Sequence, residues 1–155
     1  MDMVYIVHYT PLRDRLRAML KVVDRMGVGT ARIITAYDRE ELTDDDKTCF
    51  YQEDLQDVPL VPGVVSVNIK HMVAYWDMIQ NNYQTALVLE DDALDKDQGG
   101  AAWNDTFETC MDNVPSDFDA VFVSGCHQES PCTKGMLHVC ALSPPSYHAN
   151  PCNVT

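Results

Sequence analysis

The stretch from Ser66 to Ala93 constrains the fold of this chain more than any other part of the sequence. Its first part, from Ser66 to Asn81, repeats apolar residues at three- and four-residue steps, which predicts a helix lying on a core. The stripe consists of Ile69, Met72, Val73, Trp76 and Ile79. Ser66 has the side chain of an N-cap, and Asn81-Asn82 is a typical helix stop. We therefore expect an amphipathic helix that begins at Ser66.

An apolar run and an acidic triplet follow this helix. Thr85 to Leu89 has the length and composition of a strand buried on both faces, as in a parallel sheet. Glu90, Asp91 and Asp92 come directly after it. Adjacent carboxylates repel one another, and a divalent cation that prefers oxygen ligands removes this cost. Because open α/β sheets bind ligands at the carboxyl ends of their strands, the triplet predicts a Mn²⁺ or Mg²⁺ site, with a solvated acidic turn as the alternative.

The order of helix, strand and acidic triplet resembles glycosyltransferase family 25, which includes lipooligosaccharide and collagen-modifying galactosyltransferases. In that family the helix opens Gly-Cys-x-x-Ser-His and has Trp one turn after the His. The matching stretch here ends at His71, with Tyr75 one turn on and Trp76 beside it. The His, the aromatic residue and the sequence Leu-Val-Leu-Glu-Asp-Asp match, whereas the Gly, Cys and Ser do not.

This resemblance implies an α/β fold of GT-A type, which is a Rossmann-related, mostly parallel sheet flanked by helices. Residues 1–127 correspond to the N-terminal part of the family's nucleotide-sugar domain, and residues 128–155 form an irregular tail rich in Cys and Pro. A family member continues beyond this point with the half of the domain that supplies the acceptor site. The chain therefore resembles a family domain that lacks its C-terminal part.

For an intact member, the resemblance implies an inverting transfer of a hexose, above all galactose from UDP-galactose, to a glycan or a hydroxylysine-type acceptor. Glu90, Asp91 and Asp92 would hold Mn²⁺ or Mg²⁺ on the donor diphosphate, and the metal would stabilise the departing UDP. The catalytic base is not identified. The alternative is a truncated or inactive glycosyltransferase-like module that binds nucleotide weakly or not at all.

A β-α-β pattern begins the chain. Met3 to Tyr9 is apolar and β-branched, and Ala31 to Ala36 is a second such run. Between them, Leu12 to Met26 has the spacing of an amphipathic helix, which Gly27 and Gly29 end. The pattern predicts two parallel strands joined by a right-handed crossover.

The exits of these two strands correspond, by resemblance, to the donor-binding edge. Thr10, Arg13 and Arg15 follow the first strand, and Asp38 follows the second. An Arg guanidinium donates in pairs and suits a diphosphate, while a carboxylate in the position of Asp38 can accept hydrogen bonds from ribose or uracil. His71 would contact the phosphates or the donor sugar. The alternatives are solvated arginines on a surface helix and a structural histidine.

The remaining segments carry fewer predictions. Residues 40–62 are acidic and irregular, with Asp44-Asp45-Asp46 as a solvated loop or helix start. A short amphipathic helix is predicted from Trp103 to Val114 and a strand from Phe118 to Ser124, for a sheet of at least four strands. A phosphoacceptor receiver domain has its acidic pair on the first strand and an Asp at the end of a later one. Here the acidic strand is third and Ser124 ends the later strand, which disfavours a receiver.

Composition bears on partners and compartment. A formal net charge of -13 argues against nucleic acid or an anionic membrane surface as partner. The sequence shows no signal peptide and no apolar run long enough to span a bilayer. Four of the six cysteines fall in the last thirty residues, at spacings that allow disulfides, free thiols or, more weakly, zinc: Cys126, Cys132, Cys140 and Cys152. Together with sequons at Asn104 and Asn153, they slightly favour the endoplasmic reticulum or Golgi lumen over the cytoplasm.

Overall fold

The computed structural model describes residues 1–27, 29–50, 61–93 and 111–112. The elements are β1 (Met3–Val7), α1 (Arg13–Arg25), β2 (Ala31–Ile34), α2 (Asp44–Phe50), α3 (Pro62–Asn81) and β3 (Ala86–Glu90). Met111 and Asp112 are helical, in agreement with the helix predicted there, and belong to a different compact unit from residues 1–93. The predicted strand from Phe118 to Ser124, the tail, the four cysteines of the last thirty residues and both sequons lie outside the described residues.

The strands form a parallel sheet in the order β2-β1-β3. Val7 at the end of β1 pairs with Ile34 on one side and with Glu90 on the other, so all three strands end at one edge. Every residue of β1 is buried, whereas β2 exposes Arg32 and Ile33. The predicted α/β class and the parallel β-α-β unit are confirmed, although β1 and β2 each end two residues earlier than predicted.

The strand order predicts that α1 and α3 lie on opposite faces of the sheet. α1 leads from β1 to β2, and α3 leads from β2 past β1 to β3, so the two crossovers run in opposite directions. Right-handed crossovers then put the two helices on opposite faces. α3 packs against all three strands, and Met3, Tyr5, Ile34 and Ala74 form a core cluster there. The strand order reverses between β1 and β3, and open α/β sheets bind ligands at the carboxyl ends that flank such a point.

Both predicted helix stops are confirmed. Gly27 follows α1 with a φ of 66°, a left-handed conformation that favours glycine, and its N–H donates to the carbonyl of Asp24 at 3.1 Å. Asn82 ends α3 with a φ of 54°, and asparagine tolerates this conformation better than most residues.

The predicted start of α3 is wrong. The helix begins at Pro62, after Val61 in an extended conformation, so Ser66 lies inside the helix and is buried. Proline suits the first helical position because the N–H it lacks has no partner within the helix there. The Ser66 hydroxyl instead donates to the backbone carbonyl of Tyr37 at 2.7 Å. Its hydrogen bond therefore joins α3 to the loop after β2.

The apolar stripe predicted for α3 is only partly buried. Ile69 is fully buried, but Met72, Trp76 and Ile79 are 45%, 49% and 64% exposed. The buried residues of the helix are Val65, Ser66, Ile69, Lys70 and Ala74. Because α3 carries apolar side chains on more than one side, their spacing identifies a helix without deciding which side meets the sheet.

The acidic run from Asp44 to Asp46 opens α2, which confirms its interpretation as a helix start and corrects the prediction that residues 40–62 are irregular throughout. Thr43 Oγ1 accepts from the N–H of Asp46 at 3.1 Å, and the Asp46 carboxylate accepts from the N–H of Thr43 at 2.9 Å. This reciprocal pair is a capping box, which satisfies two N–H groups at the helix start. Within the described ranges, no helix is both long and apolar enough to cross a bilayer.

Candidate functional site

The residues after β1, β2 and β3 meet at the carboxyl edge of the sheet. The carboxyl ends of parallel strands share an edge, so this convergence follows from the strand directions. Hydrogen bonds connect the residues that follow the three strands: His8 and Tyr9 contact Asp91, and Thr10 contacts Asp38. Arg15 of α1 contacts Asp91 and Asp92. These hydrogen bonds involve five of the eight predicted site residues: Thr10, Arg15, Asp38, Asp91 and Asp92.

Asp91 is the centre of this arrangement. It is buried, and its Oδ2 lies 2.8 Å from His8 Nδ1 and accepts from the N–H of Tyr9 at 3.1 Å. Its Oδ1 accepts from an Arg15 Nη1 at 3.2 Å. A buried carboxylate needs such partners, because burial without them is costly. Asp91 therefore joins the end of β3 to the end of β1 and to α1.

Arg15 connects the buried and exposed parts of the site. The same Nη1 that contacts Asp91 also lies 3.3 Å from Asp92 Oδ2. Arg15 and Asp92 are both exposed, so an incoming ligand can reach them. Arg13 is exposed too, but it makes no ion pair among the described residues. The structure thus brings Arg15, and not Arg13, to the acidic residues.

Asp38 and Lys70 form a buried ion pair beside this centre. The ammonium of Lys70 contacts Asp38 Oδ1 and also donates to the backbone carbonyl of His8. The second oxygen, Asp38 Oδ2, accepts from the N–H of Thr10 at 3.2 Å. Buried ion pairs are tolerated when further hydrogen bonds satisfy both groups, as they do here. Asp38 lies at the predicted place, and both of its oxygens have protein partners.

His71 and Glu90 contact each other at the end of β3. His71 Nε2 lies 3.4 Å from Glu90 Oε1, and the His71 ring packs at a tilt on Tyr75 with 6.2 Å between ring centroids. Successive side chains of an extended chain point to opposite faces, which separates Glu90 from Asp91. Among the described residues, no group of three or more His, Cys, Asp or Glu is arranged to hold a metal ion.

Asp91 and Asp92 nevertheless fit a divalent cation by their chemistry. One Nη1 of Arg15 lies within 3.3 Å of an oxygen of each carboxylate, so these two oxygens face a common positive group. Mg²⁺ is commonly held by only one or two carboxylates together with substrate phosphates. The pair therefore suits a cation that arrives with a phosphate ligand.

An aromatic and charged group borders the site. The Tyr9 hydroxyl donates to Glu40 at 2.7 Å and accepts from Arg39 at 2.8 Å, and the Arg39 guanidinium lies 4.6 Å over the Tyr9 ring. The hydrogen bond to Glu40 raises the pKa of Tyr9, and the same bond lowers the pKa of Glu40. These contacts hold the exits of β1 and β2 together on the exposed side.

Sequence reasoning missed His8, Lys70 and the group around Tyr9. Lys70 stands where the family pattern has Ser, and a lysine on a helix is ordinarily solvated. Its position four residues after Ser66 was the available signal, because residues four apart share one helix face. For His8, the available signal was a polar residue at the end of an apolar strand, which indicates a buried polar partner such as Asp91.

Comparisons of the chain with protein-family models, with curated proteins and with solved structures found no match.

Proposed function

We propose that this chain binds a nucleotide sugar at the carboxyl edge of its sheet and transfers the hexose, as its resemblance to glycosyltransferase family 25 implies. One observation carries the proposal: Arg15 contacts both Asp91 and Asp92 beside the point where the strand order reverses. Ligands of open α/β sheets bind at such a point. Carboxylates for a divalent cation and a guanidinium for a diphosphate are the groups that a nucleotide sugar needs.

The residues of the site divide the work as follows. Asp92 and Asp91 would hold Mn²⁺ or Mg²⁺, which would supply Lewis-acid stabilisation of the charge on the departing UDP. Arg15, released from the carboxylates, donates to the diphosphate oxygens. His8 and the N–H of Tyr9 fix Asp91 before any ligand arrives, so its orientation does not have to be established on binding. The remaining donor contacts come from Thr10 after β1, from Arg13 at the start of α1 and from His71 within α3.

The GT-A assignment of the sheet, the galactosyl donor and a glycan or protein acceptor belong to the same proposal. Their support is the family resemblance together with the parallel β2-β1-β3 order. A lumenal location rests on the cysteines and sequons alone.

Calorimetry with UDP, first with Mn²⁺ and then with EDTA, tests the donor site directly. We expect binding in Mn²⁺ and none in EDTA. Asp92→Asn should weaken the Mn²⁺-dependent binding by about tenfold or more, a change of about 1.4 kcal/mol or more. Asp24→Asn is the matched control, because Asp24 is an exposed acidic residue near the other end of α1 and should leave binding unchanged.

UDP release from UDP-galactose then separates catalysis from binding. Release by the wild-type protein, lost in Asp92→Asn, would support the transferase. Binding of UDP without any release would support the alternative of a glycosyltransferase-like module that does not turn over. Absence of UDP binding in Mn²⁺ would overturn the proposed donor site itself.

A further inference from the structure

Lys70 is the most deeply buried charged side chain of α3, with 1% of its surface exposed. Its ammonium has two partners, the His8 carbonyl after β1 and the Asp38 carboxylate after β2. One turn earlier on the same face of α3, Ser66 donates to the carbonyl of Tyr37. Two side chains of a single helix therefore hold the exits of two strands.

The contact between Lys70 and the His8 carbonyl also acts on Asp91. The carbonyl of His8 and the N–H of Tyr9 belong to one peptide unit, which is planar, so orienting one end orients the other. Lys70 contacts this peptide at its oxygen, and Asp91 accepts from its N–H at 3.1 Å. Hydrogen bonds at the two ends of a peptide also polarise one another.

We propose that Lys70 is a positioning residue of the site: by binding the His8–Tyr9 peptide at its carbonyl, it directs the Tyr9 N–H to Asp91 and so sets the carboxylate that faces Arg15. The expected effect of Lys70 on nucleotide binding rests on the proposed function, whereas the effect of Lys70 on Asp91 does not. Asp38 balances the charge of the buried ammonium, since it is the only carboxylate that pairs with Lys70 among the described residues.

The test must separate this role from the stability of a buried ion pair. Lys70→Met alone leaves Asp38 as an unpaired buried charge, and we expect the protein to unfold more easily for that reason. The double variant Lys70→Met/Asp38→Asn buries no charge at these two positions, and the new amide oxygen can still accept from the N–H of Thr10. Asp38→Asn alone is the matched control: it also leaves a buried charge unpaired and should also lower stability, but the ammonium can still donate to the His8 carbonyl.

Hydrogen exchange of individual amides gives the readout, with the Ile6 amide of β1 as internal reference. We expect protection of the Tyr9 amide relative to Ile6 to fall by about tenfold or more in the double variant, and to stay near wild type in Asp38→Asn. Mn²⁺-dependent UDP affinity should fall by about tenfold in the double variant. Unchanged relative protection of the Tyr9 amide in the double variant would overturn the proposal.

The two proposals fail in different ways. If the wild-type protein does not bind UDP while the Tyr9 amide loses protection in the double variant, the nucleotide site is refuted and the positioning of Asp91 by Lys70 stands. If the wild-type protein binds UDP and the double variant binds it equally well, with the Tyr9 amide still protected, the donor site stands and the role of Lys70 is refuted.

Discussion

His8 Nδ1 lies 2.8 Å from Asp91 Oδ2, although 83 positions of sequence separate the two residues. Both side chains are buried. His8 also donates its N–H to the carbonyl of Ile34 at 3.1 Å and accepts from Lys70 through its own carbonyl. A single residue at the end of the central strand therefore contacts β2, α3 and the exit of β3.

Replacement of His8 tests how much its contact with Asp91 stabilises the protein. We expect His8→Phe to lower the free energy of unfolding by about 1–3 kcal/mol, because the phenyl ring fills the space but leaves Asp91 without one of its partners. His71→Phe is the comparison, since the 3.4 Å contact of His71 with Glu90 is longer and partly exposed, and its loss should be smaller. Urea unfolding measures both, and equal losses would contradict this account.

Replacement of Arg15 should separate cation binding from diphosphate binding. Arg15→Gln removes the positive charge shared by Asp91 and Asp92, so Mn²⁺ alone should bind several-fold more tightly, while UDP in Mn²⁺ should bind several-fold more weakly. Both effects should shrink at high salt, because the guanidinium is exposed. Calorimetry without and with UDP gives the two affinities.

Arg17→Gln is the control for Arg15. Arg17 is exposed on the same helix and pairs only with Asp14 among the described residues. Arg17→Gln should change neither the affinity for Mn²⁺ alone nor the affinity for UDP in Mn²⁺. If Arg15→Gln left both affinities at the wild-type values, the contact of Arg15 with the acidic residues would have no role in ligand binding.

The stability of the protein should fall at alkaline pH because of Tyr5. Burial raises the pKa of Tyr5, and its 2.6 Å hydrogen bond to Asp77 raises this pKa further. A group with a raised pKa in the folded state contributes stability that is present below the unfolded pKa, about 10, and is lost as the pH rises toward the folded value. The midpoint of thermal unfolding should therefore fall less steeply above pH about 10 for Tyr5→Phe than for the wild type.

Ultraviolet titration of tyrosinate checks the same point. The chain has seven tyrosines, and in the folded wild type Tyr5 should ionise at a higher pH than an unperturbed tyrosine does. This late step should be absent from Tyr5→Phe. Identical titration curves above pH about 10, apart from amplitude, would contradict the shift.

The stabilising contribution of the α2 capping box should be lost in acid. Hydrogen bonds from the Thr43 hydroxyl and N–H lower the pKa of Asp46 below its ordinary value of 3.8. The contribution of Asp46 is therefore present above that value and lost as the pH falls through the lower, folded pKa. Thr43→Ala should cost about 1 kcal/mol at neutral pH and should reduce the acid dependence of unfolding. Asp45→Asn, in the same turn, should change stability less than Thr43→Ala.

Much of the local structure could be predicted from the sequence. The apolar runs of β1 and β3 and the glycine after α1 locate their elements to within two residues, because strand composition and left-handed stops are local signals. These features needed only short stretches of sequence. The contact of Asp91 with Arg15 was not predicted, because the β-α-β pattern covers only β1, α1 and β2, and the resemblance placed both residues at the donor site without pairing them.

The polar face of α3 could not be predicted in the same way. Ser66 before an apolar stripe resembles an N-cap, and Pro62 was the competing signal for the true start. Lys70 is buried because Asp38 and the His8 carbonyl lie opposite it, and no local property of the helix reveals a partner 32 or 62 positions away. Tertiary contacts decided both cases.

The long sequence separation within the Asp91 cluster has a consequence for synthesis of the chain. A ribosome makes about 5–20 residues per second, so His8 emerges several seconds before the residue that it contacts 83 positions later. During that interval the His8 imidazole and the Tyr9 N–H after β1, and the Arg15 guanidinium in α1, lack their common carboxylate. Forming this edge closes a long chain loop, and such non-local contacts form late because the entropy of loop closure must be overcome first. Nascent chains released before Asp91 would thus have the first β-α-β unit and no candidate site.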